Sequence, residues 1–363
     1  MPCSTRSRAS CALANSTRRE AADQMPVHKP SGESGEDRLI AKYFRPLATH
    51  PGAFGLIDDC AALSVPAGRD LVLKTDAIVG GVHFFTDDPA DKIAQKAMRV
   101  NLSDLAAKGA KPVGFLLSLA LISPIDHKWL AAFARGLRKD ADAFGCPLLG
   151  GDTDRTPGPV TVSISVFGTL PHGTMVMRSG ARAGQRVCVT GTIGDAALGL
   201  LLRRDAGAAE SWKLRPAHAK HLLARYLVPQ PRNAAAEAVR LHAAAAMDVS
   251  DGLAGDLAKL CRASGVCAEI DVERIPLSQA ARSAIAGDPA FIETALTGGD
   301  DYEILCTVEP QKLAAFRAAA KKANVAVTEI GKVLRPEAGA PGALFFDRAG
   351  KALVFKKPAF SHF

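Results

Sequence analysis

The sequence predicts an α/β or α+β fold. Three observations carry that reading. Short apolar runs of strand length alternate with longer stretches of helical periodicity. Both halves of the chain mix the two kinds of element. Acidic residues beside Gly, Ser or Thr recur at the ends of the apolar runs, where strands of such folds give way to loops. With 363 residues, 48% of them hydrophobic and 23% charged, the chain has the size for two domains and an ordinary globular composition.

The elements follow in order. Residues 71–76 read as a strand ending in an acid. Residues 91–107 read as a helix, with Ile93, Ala97, Val100 or Asn101, and Asp104 at three- to four-residue spacing and Gly109 as its stop. A buried strand is expected at 115–122 and an amphipathic helix at 129–144. Residues 160–166 alternate strictly, the mark of a half-buried strand. A strand at 184–190 leads through Gly191-Thr192-Ile193-Gly194 into a helix reaching about residue 203. Helices are expected at 218–226, 231–246 and 252–263, and strands at 305–308 and 343–346. Pro171, Gly173, Gly180 and Gly184 cluster at a joint near 170–182. The expected division is therefore 34–172 and 173–363. Residues 1–33 are rich in Ser, Arg and Ala and lack either periodicity. They read as a disordered extension or a misassigned start, with Met25 just ahead of the first globular-looking segment.

Composition removes several function classes. No apolar run approaches the ~20 residues of a membrane span, and the N-terminus has no apolar core of a secretory signal. The net charge of +8 comes from 45 basic and 37 acidic residues. The basic residues are scattered, and aromatics are only 6%, so a phosphorylated small ligand fits better than a nucleic acid. The eight cysteines show no C-x-x-C and read as reduced, buried thiols of a cytoplasmic protein. The phosphate loops G-x-x-x-x-G-K-[ST] and G-x-G-x-x-G are absent, as are G-x-S-x-G and H-E-x-x-H.

Instead the chain carries Asp58-Asp59, Asp76, Asp104, Asp152, Asp248 with Asp251, and Asp300-Asp301, most of them flanked by Gly, Ser or Thr. One such Asp is ordinarily a turn or a cap. Six clusters gathered by converging strand ends would repel one another unless cations neutralised them. All-oxygen ligands favour Mg²⁺, which shares its shell with substrate phosphates. The residues thus point to a multi-metal site for a nucleoside triphosphate. Arg178 at the joint is a candidate phosphate clamp. His83 follows the Asp76 strand, and Ser250 and the N–H groups opening the 252–263 helix could meet phosphate oxygens.

At these residues the chain resembles the thiamine-monophosphate kinase family, of the superfamily that also holds aminoimidazole ribonucleotide synthetase and selenophosphate synthetase. The similar stretches are residues 35–44, Asp58-Asp59-Cys60-Ala61, Thr75-Asp76 with His83-Phe84, residues 100–107, Gly150-Gly151-Asp152-Thr153, residues 190–195, residues 248–253, residues 298–303 and the closing His362-Phe363. Together they span about 34–363. The resemblance implies two mixed-sheet domains of the aminoimidazole ribonucleotide synthetase type, with N-terminal sheets paired in a homodimer. It implies transfer of phosphate from ATP to thiamine monophosphate, and the composition above gives no expectation of a nucleic-acid or membrane partner. By position, Asp59, Asp76, Asp104, Asp152, Asp248 and Asp251 would hold several Mg²⁺ ions. Thr75, Gly151, Arg178 and Ser250 would contact ATP, and His83, Asp300 and Phe360 the substrate. Asp104, Asp248 and Arg178 would carry catalysis. Four positions depart from the family pattern: Ile57 stands for Gly, Lys74 for Ser, Asp300 for Glu, and a C-terminal Phe for Trp or Tyr. Rival readings are another ATP-dependent synthetase of the superfamily or a non-catalytic nucleotide binder. Cys3 and Cys11 lack the Gly-rich setting a selenophosphate synthetase would need.

Overall fold

The computed structural model describes residues 35–336, 341–357 and 359. The chain falls into two units, residues 1–39 and 40–363. Of the first, the helix Gly35–Leu39 is described. Everything that follows belongs to the second.

Strands β1 (Arg69–Val79), β2 (Lys111–Ile122), β3 (Leu148–Thr156) and β4 (Thr161–Pro171) form a mixed sheet in the order β1-β4-β2-β3. Strand β4 is antiparallel to both neighbours, while β2 and β3 are parallel. Alternation gives the sheet two faces. Val162, Ile164 and Val166 of β4 and Phe115, Leu117 and Leu119 of β2 are buried on one. The helix Ala90–Ala107 packs there, with His127–Phe144 beside it. Leu71, Leu73 and Thr75 of β1 are exposed on the other.

Strands β5 (Arg186–Thr190), β6 (Ala243–Asp248), β7 (Cys267–Asp271), β8 (Ile304–Val308), β9 (Val327–Leu334) and β10 (Ala343–Phe346) build a second mixed sheet in the order β10-β7-β9-β5-β8-β6. Its central strands β5 and β8 are mostly apolar because both faces are covered. Val187 and Val189 meet Leu253, Leu257 and Ile270 on one side. Cys188 and Cys306 meet Val239 and Phe316 on the other, together with Ala106 and Ala107. The helix Ala90–Ala107 therefore touches both sheets, which explains why almost its whole circumference is buried. It is the element that holds Asp104 between them.

Most of the expected elements form, with shifted ends. One expectation fails: residues 231–246 are not a single helix. The helix Ala236–His242 stops at His242, and Ala243–Asp248 is an edge strand. Its ladder with β8 and the bond from the Ala246 N–H to the Met177 carbonyl (3.1 Å) override alanine's helix propensity. Strands β3, β7 and β9 lie outside the expected elements. Nor are all the thiols buried, since Cys60 is exposed. Burial pushes Cys146, Cys188 and Cys261 up to about 12. Among the described residues, no helix is long and apolar enough to cross a membrane.

Candidate functional site

Lys74 and Asp76 are two apart on β1, so their side chains share the face turned toward the helix Ala90–Ala107. Asp104 comes to meet them from that helix. The Lys74 ammonium lies 3.0 Å from Asp76 Oδ1 and 2.9 Å from Asp104 Oδ2. Burial alone would lower the Lys74 pKa, but Asp104 and Asp76 outweigh it and hold it above its usual value. Asp76 is raised, chiefly by burial; Lys74 opposes the shift, and the charges of Asp104 and Asp251 add to it.

Asp248 ends β6 and is buried. Burial and then the Asp104 charge push its carboxyl up, while a bond from the Ser103 hydroxyl resists. The chain turns through Ser250-Asp251-Gly252 into the helix Leu253–Ser264. Gly252 sits at φ +105°, and a Cβ there would lie 2.6–2.8 Å from backbone atoms of Thr297, so only glycine serves. Asp256, fully buried, accepts the N–H groups of Ser250 (2.9 Å) and Asp251 (2.8 Å) and so fixes the turn. Lys259 bonds Asp256 (2.8 Å) and also pairs with Asp251.

Residues 298–303 lie against this turn. The N–H groups of Asp300 and Tyr302 donate to the carbonyls of Ser250 and Val249, each at 2.8 Å. Both residues hold left-handed backbones, φ +64° and +51°, strain of a kind that clusters at functional sites. The buried Lys96 donates to Asp300 Oδ2 (2.9 Å) and to the His83 carbonyl (3.0 Å), and lies 4.2 Å above the Tyr226 ring. Burial, followed by Asp300 and Asp248, raises the Tyr302 phenol well above its usual value. Lys108, which donates to the Ala246 carbonyl (2.6 Å), is pushed down to about 8 by burial and then by Arg178. Arg178 itself is exposed in a single turn, Arg178–Gly180, whose Arg178 carbonyl accepts from Ser264 Oγ (2.7 Å).

The structure thus brings Asp76, Asp104, Asp248 and Asp251 to one side of the long helix, with Ser250, Arg178, His83 and Asp300 around them. It does not bring Asp59, Thr75, Gly151 and Asp152 there. Asp152 pairs with Ser118 across β2–β3 and lies on the sheet's other face, with Thr75 and Ser165. Asp59, Gly151 and Asp152 line a separate cleft of about 870 Å³ beneath residues 40–63. The expectation of one gathering of strand-end acids is corrected to two groups. The cause is the two-residue period: neighbours Thr75 and Asp76 must face opposite ways. Above that cleft Phe54, Gly55 and Leu56 are all left-handed, just before the exposed Ile57. Phe360 lies outside the described residues.

Sequence reasoning does not find the cations Lys96, Lys108 and Lys259, and it gives Lys74 only as a departure from the family pattern. The signal was present, since Lys74 is two residues before Asp76 on a strand and Lys96 is eight before Asp104 on a helix. Asp256 gave no signal beyond its burial-prone helix position. Among the described residues no three acidic, His or Cys side chains close around one point; Lys74 sits between Asp76 and Asp104, and Lys259 between Asp251 and Asp256. The donors are nonetheless all carboxylate oxygens, and Lys74 shows that a cation fits between two of them. That donor set fits Mg²⁺.

Two family models match the chain. Residues 57–170 match AIR synthase related protein, N-terminal domain, and residues 182–340 match AIR synthase related protein, C-terminal domain. The thiamine-monophosphate kinase of Caulobacter vibrioides is 44% identical over 306 residues, 82% of this chain and 84% of that one. The crystal structure of the Stenotrophomonas maltophilia thiamine-monophosphate kinase is 34% identical and superposes with a TM-score of 0.75, covering 87% of this chain and 96% of that one. AaThiL complexed with AMPPCP and TMP is 30% identical with a TM-score of 0.70, covering 86% and 97%.

Proposed function

The chain belongs to the thiamine-monophosphate kinase family of AIR-synthase-related proteins, and from that premise we propose that it transfers the γ-phosphoryl group of ATP to thiamine monophosphate, giving ADP and thiamine diphosphate. The observation that carries this reading is the group Asp76, Asp104, Asp248 and Asp251 beside the Lys96–Asp300 pair and His83. A relative of this fold has been seen with an ATP analogue and TMP.

The acceptor is a phosphate oxygen, already anionic near neutral pH, so the reaction needs no strong general base. Its difficulty is bringing two anions together in line. Bound at Asp76, Asp104, Asp248 and Asp251, Mg²⁺ would neutralise phosphate charge. Arg178, exposed at the joint, is suited to clamp a phosphate by a forked pair of hydrogen bonds. Lys108 and Arg178 add fixed positive charge on the same side. Asp300, held by Lys96, and His83 line the direction from which the thiamine moiety would enter. Asp59, Gly151 and Asp152 line the second cleft, with Thr75 on the same sheet face, and these four are assigned to nucleotide or metal there. The exposed Leu71 and Leu73 of β1 support pairing of two copies through the first sheet. A cytoplasmic setting accords with this chemistry.

The test is an ADP-release assay with ATP, Mg²⁺ and thiamine monophosphate, run beside free thiamine and an aminoimidazole precursor. Thiamine diphosphate should form from the monophosphate alone and cease on chelation with EDTA. Asp104→Asn and Asp248→Asn should each cut turnover by roughly a hundredfold or more while the chain stays folded. Wild-type rates in both variants would remove the metal assignment. ATP binding without turnover on any acceptor would remove the reaction.

A further inference from the structure

The Lys74 ammonium occupies a position that two carboxylates define. It lies 3.0 Å from Asp76 and 2.9 Å from Asp104, on strand and helix respectively. The arrangement is dictated locally. Residues 74 and 76 share a strand face, and a four-carbon stem is long enough to carry the charge past Asp76 to the facing helix. A short hydroxyl side chain at residue 74 would leave the two acids facing one another with no charge between them. In the same site Asp251 adds a third negative charge that bears on Asp76. The site therefore favours a cation here, and the chain supplies one of its own.

We propose that Lys74 is a built-in cation: its ammonium fills the position between Asp76 and Asp104 that a divalent ion would otherwise take, so this chain holds one metal ion fewer at that pair. The inference rests on the reading of these acids as metal ligands. It makes Lys74 a positioning residue. It keeps Asp104 turned toward Asp76 in the metal-free chain and leaves the outer oxygens of both acids for ions arriving with nucleotide. A primary ammonium donates hydrogen bonds and one unit of charge, and it cannot exchange into solvent as a metal does.

The experiment is a Mn²⁺ titration of the full chain without nucleotide or thiamine compound, with free Mn²⁺ read by electron paramagnetic resonance. Because no turnover is involved, its result is independent of whether thiamine monophosphate is the acceptor. Wild type and Asp76→Asn should take up the same number of ions. Lys74→Ser should take up one more, at least roughly tenfold tighter than any uptake by wild type at that pair. The double variant Lys74→Ser/Asp76→Asn should lose that ion, and Lys74→Arg should follow wild type. Loss of an ion in Asp76→Asn relative to wild type would overturn the proposal, because it would place a metal where Lys74 is assigned. So would a Lys74→Ser chain that is folded by circular dichroism and gains nothing. Should Lys74→Ser fail to fold, the comparison of wild type with Asp76→Asn decides alone.

Discussion

Lys108 shows how one side chain registers the character of the whole site. Its ammonium is mostly buried beside Arg178 and bonded to the Ala246 carbonyl, and its pKa falls to about 8 from 10.5. In the unfolded chain the group keeps its ordinary value. Between these two values the unfolded chain binds more protons, so stability rises with pH across the window. Below about 8 the burden of holding the charge is fully present, and toward 10.5 it is relieved. Lys108→Met removes it at every pH. The stability advantage of Lys108→Met over wild type, from urea unfolding, should therefore shrink by at most roughly 3 kcal/mol as pH rises through that window. Loss of the bond to Ala246 shifts both ends of the comparison alike. A gap that stays constant with pH would show that Lys108 carries no such burden. At this scale the acids were legible in the sequence, because Gly- and Ser-flanked Asp at strand ends is a visible pattern. Their partners were not. Lys74, Lys96 and Lys259 are ordinary lysines until a strand face or a helix turn aims them at a carboxylate.

Among elements, one buried tie is not visible in the sequence. Glu303, fully buried just before β8, accepts from Arg225 (3.0 Å), from Arg232 Nε (2.6 Å) and Nη2 (2.5 Å), and from Thr190 Oγ1 (2.8 Å). It joins β8 and β5 to the helix Pro216–Leu227 and to the turn after it. The Thr190 hydroxyl also accepts the Ile304 N–H (2.7 Å), so the end of β5 is pinned twice. Cutting one member from a buried charge network leaves the others uncompensated. Glu303→Ala should cost roughly 3–5 kcal/mol in denaturant unfolding. A loss under about 1 kcal/mol, as for an exposed pair, would show that water reaches the two guanidinium groups. The element pattern was legible wherever packing is one-sided, as in β4, whose 160–166 alternation appears directly in the structure. It failed at β6, where four alanines carry no alternation and the neighbouring strand decides the conformation. It failed also at β3, where Gly150-Gly151-Asp152 carries no strand pattern but pairs in parallel with β2. The same limit divided the site. Periodicity reveals which residues share a face, but which face meets which cleft is set by tertiary packing. Asp76 and Asp152 therefore looked alike in sequence and came to lie on opposite sides of one sheet.

For the whole molecule, the first sheet ends in a long strand that one chain leaves half used. Strand β1 pairs with β4 alone, runs from Arg69 to Val79, and presents Leu71 (40% exposed) and Leu73 (63% exposed) on the face away from the long helix. Soluble sheets usually blunt such an edge with charge, proline or a covering loop. An exposed apolar strip on an edge strand is a surface suited to a second copy, and the face it belongs to continues into the cleft of Asp59 and Asp152, which Leu71 helps to line. If two first sheets pair across this face, one substitution should act on assembly and chemistry together. Leu73→Glu places a charge at the centre of the strip, where burial against another sheet would be strongly disfavoured, yet in the lone chain the site is exposed and the fold should not change. Sedimentation velocity should then show a dimer for wild type and a monomer for Leu73→Glu at equal concentration, with unchanged circular dichroism. Phosphate transfer should fall with the dimer if the second cleft, which Leu71 helps to line, works only in the paired state. A Leu73→Glu chain that stays dimeric would move the interface off β1. A monomer with full turnover would show that both groups of acids work within a single chain.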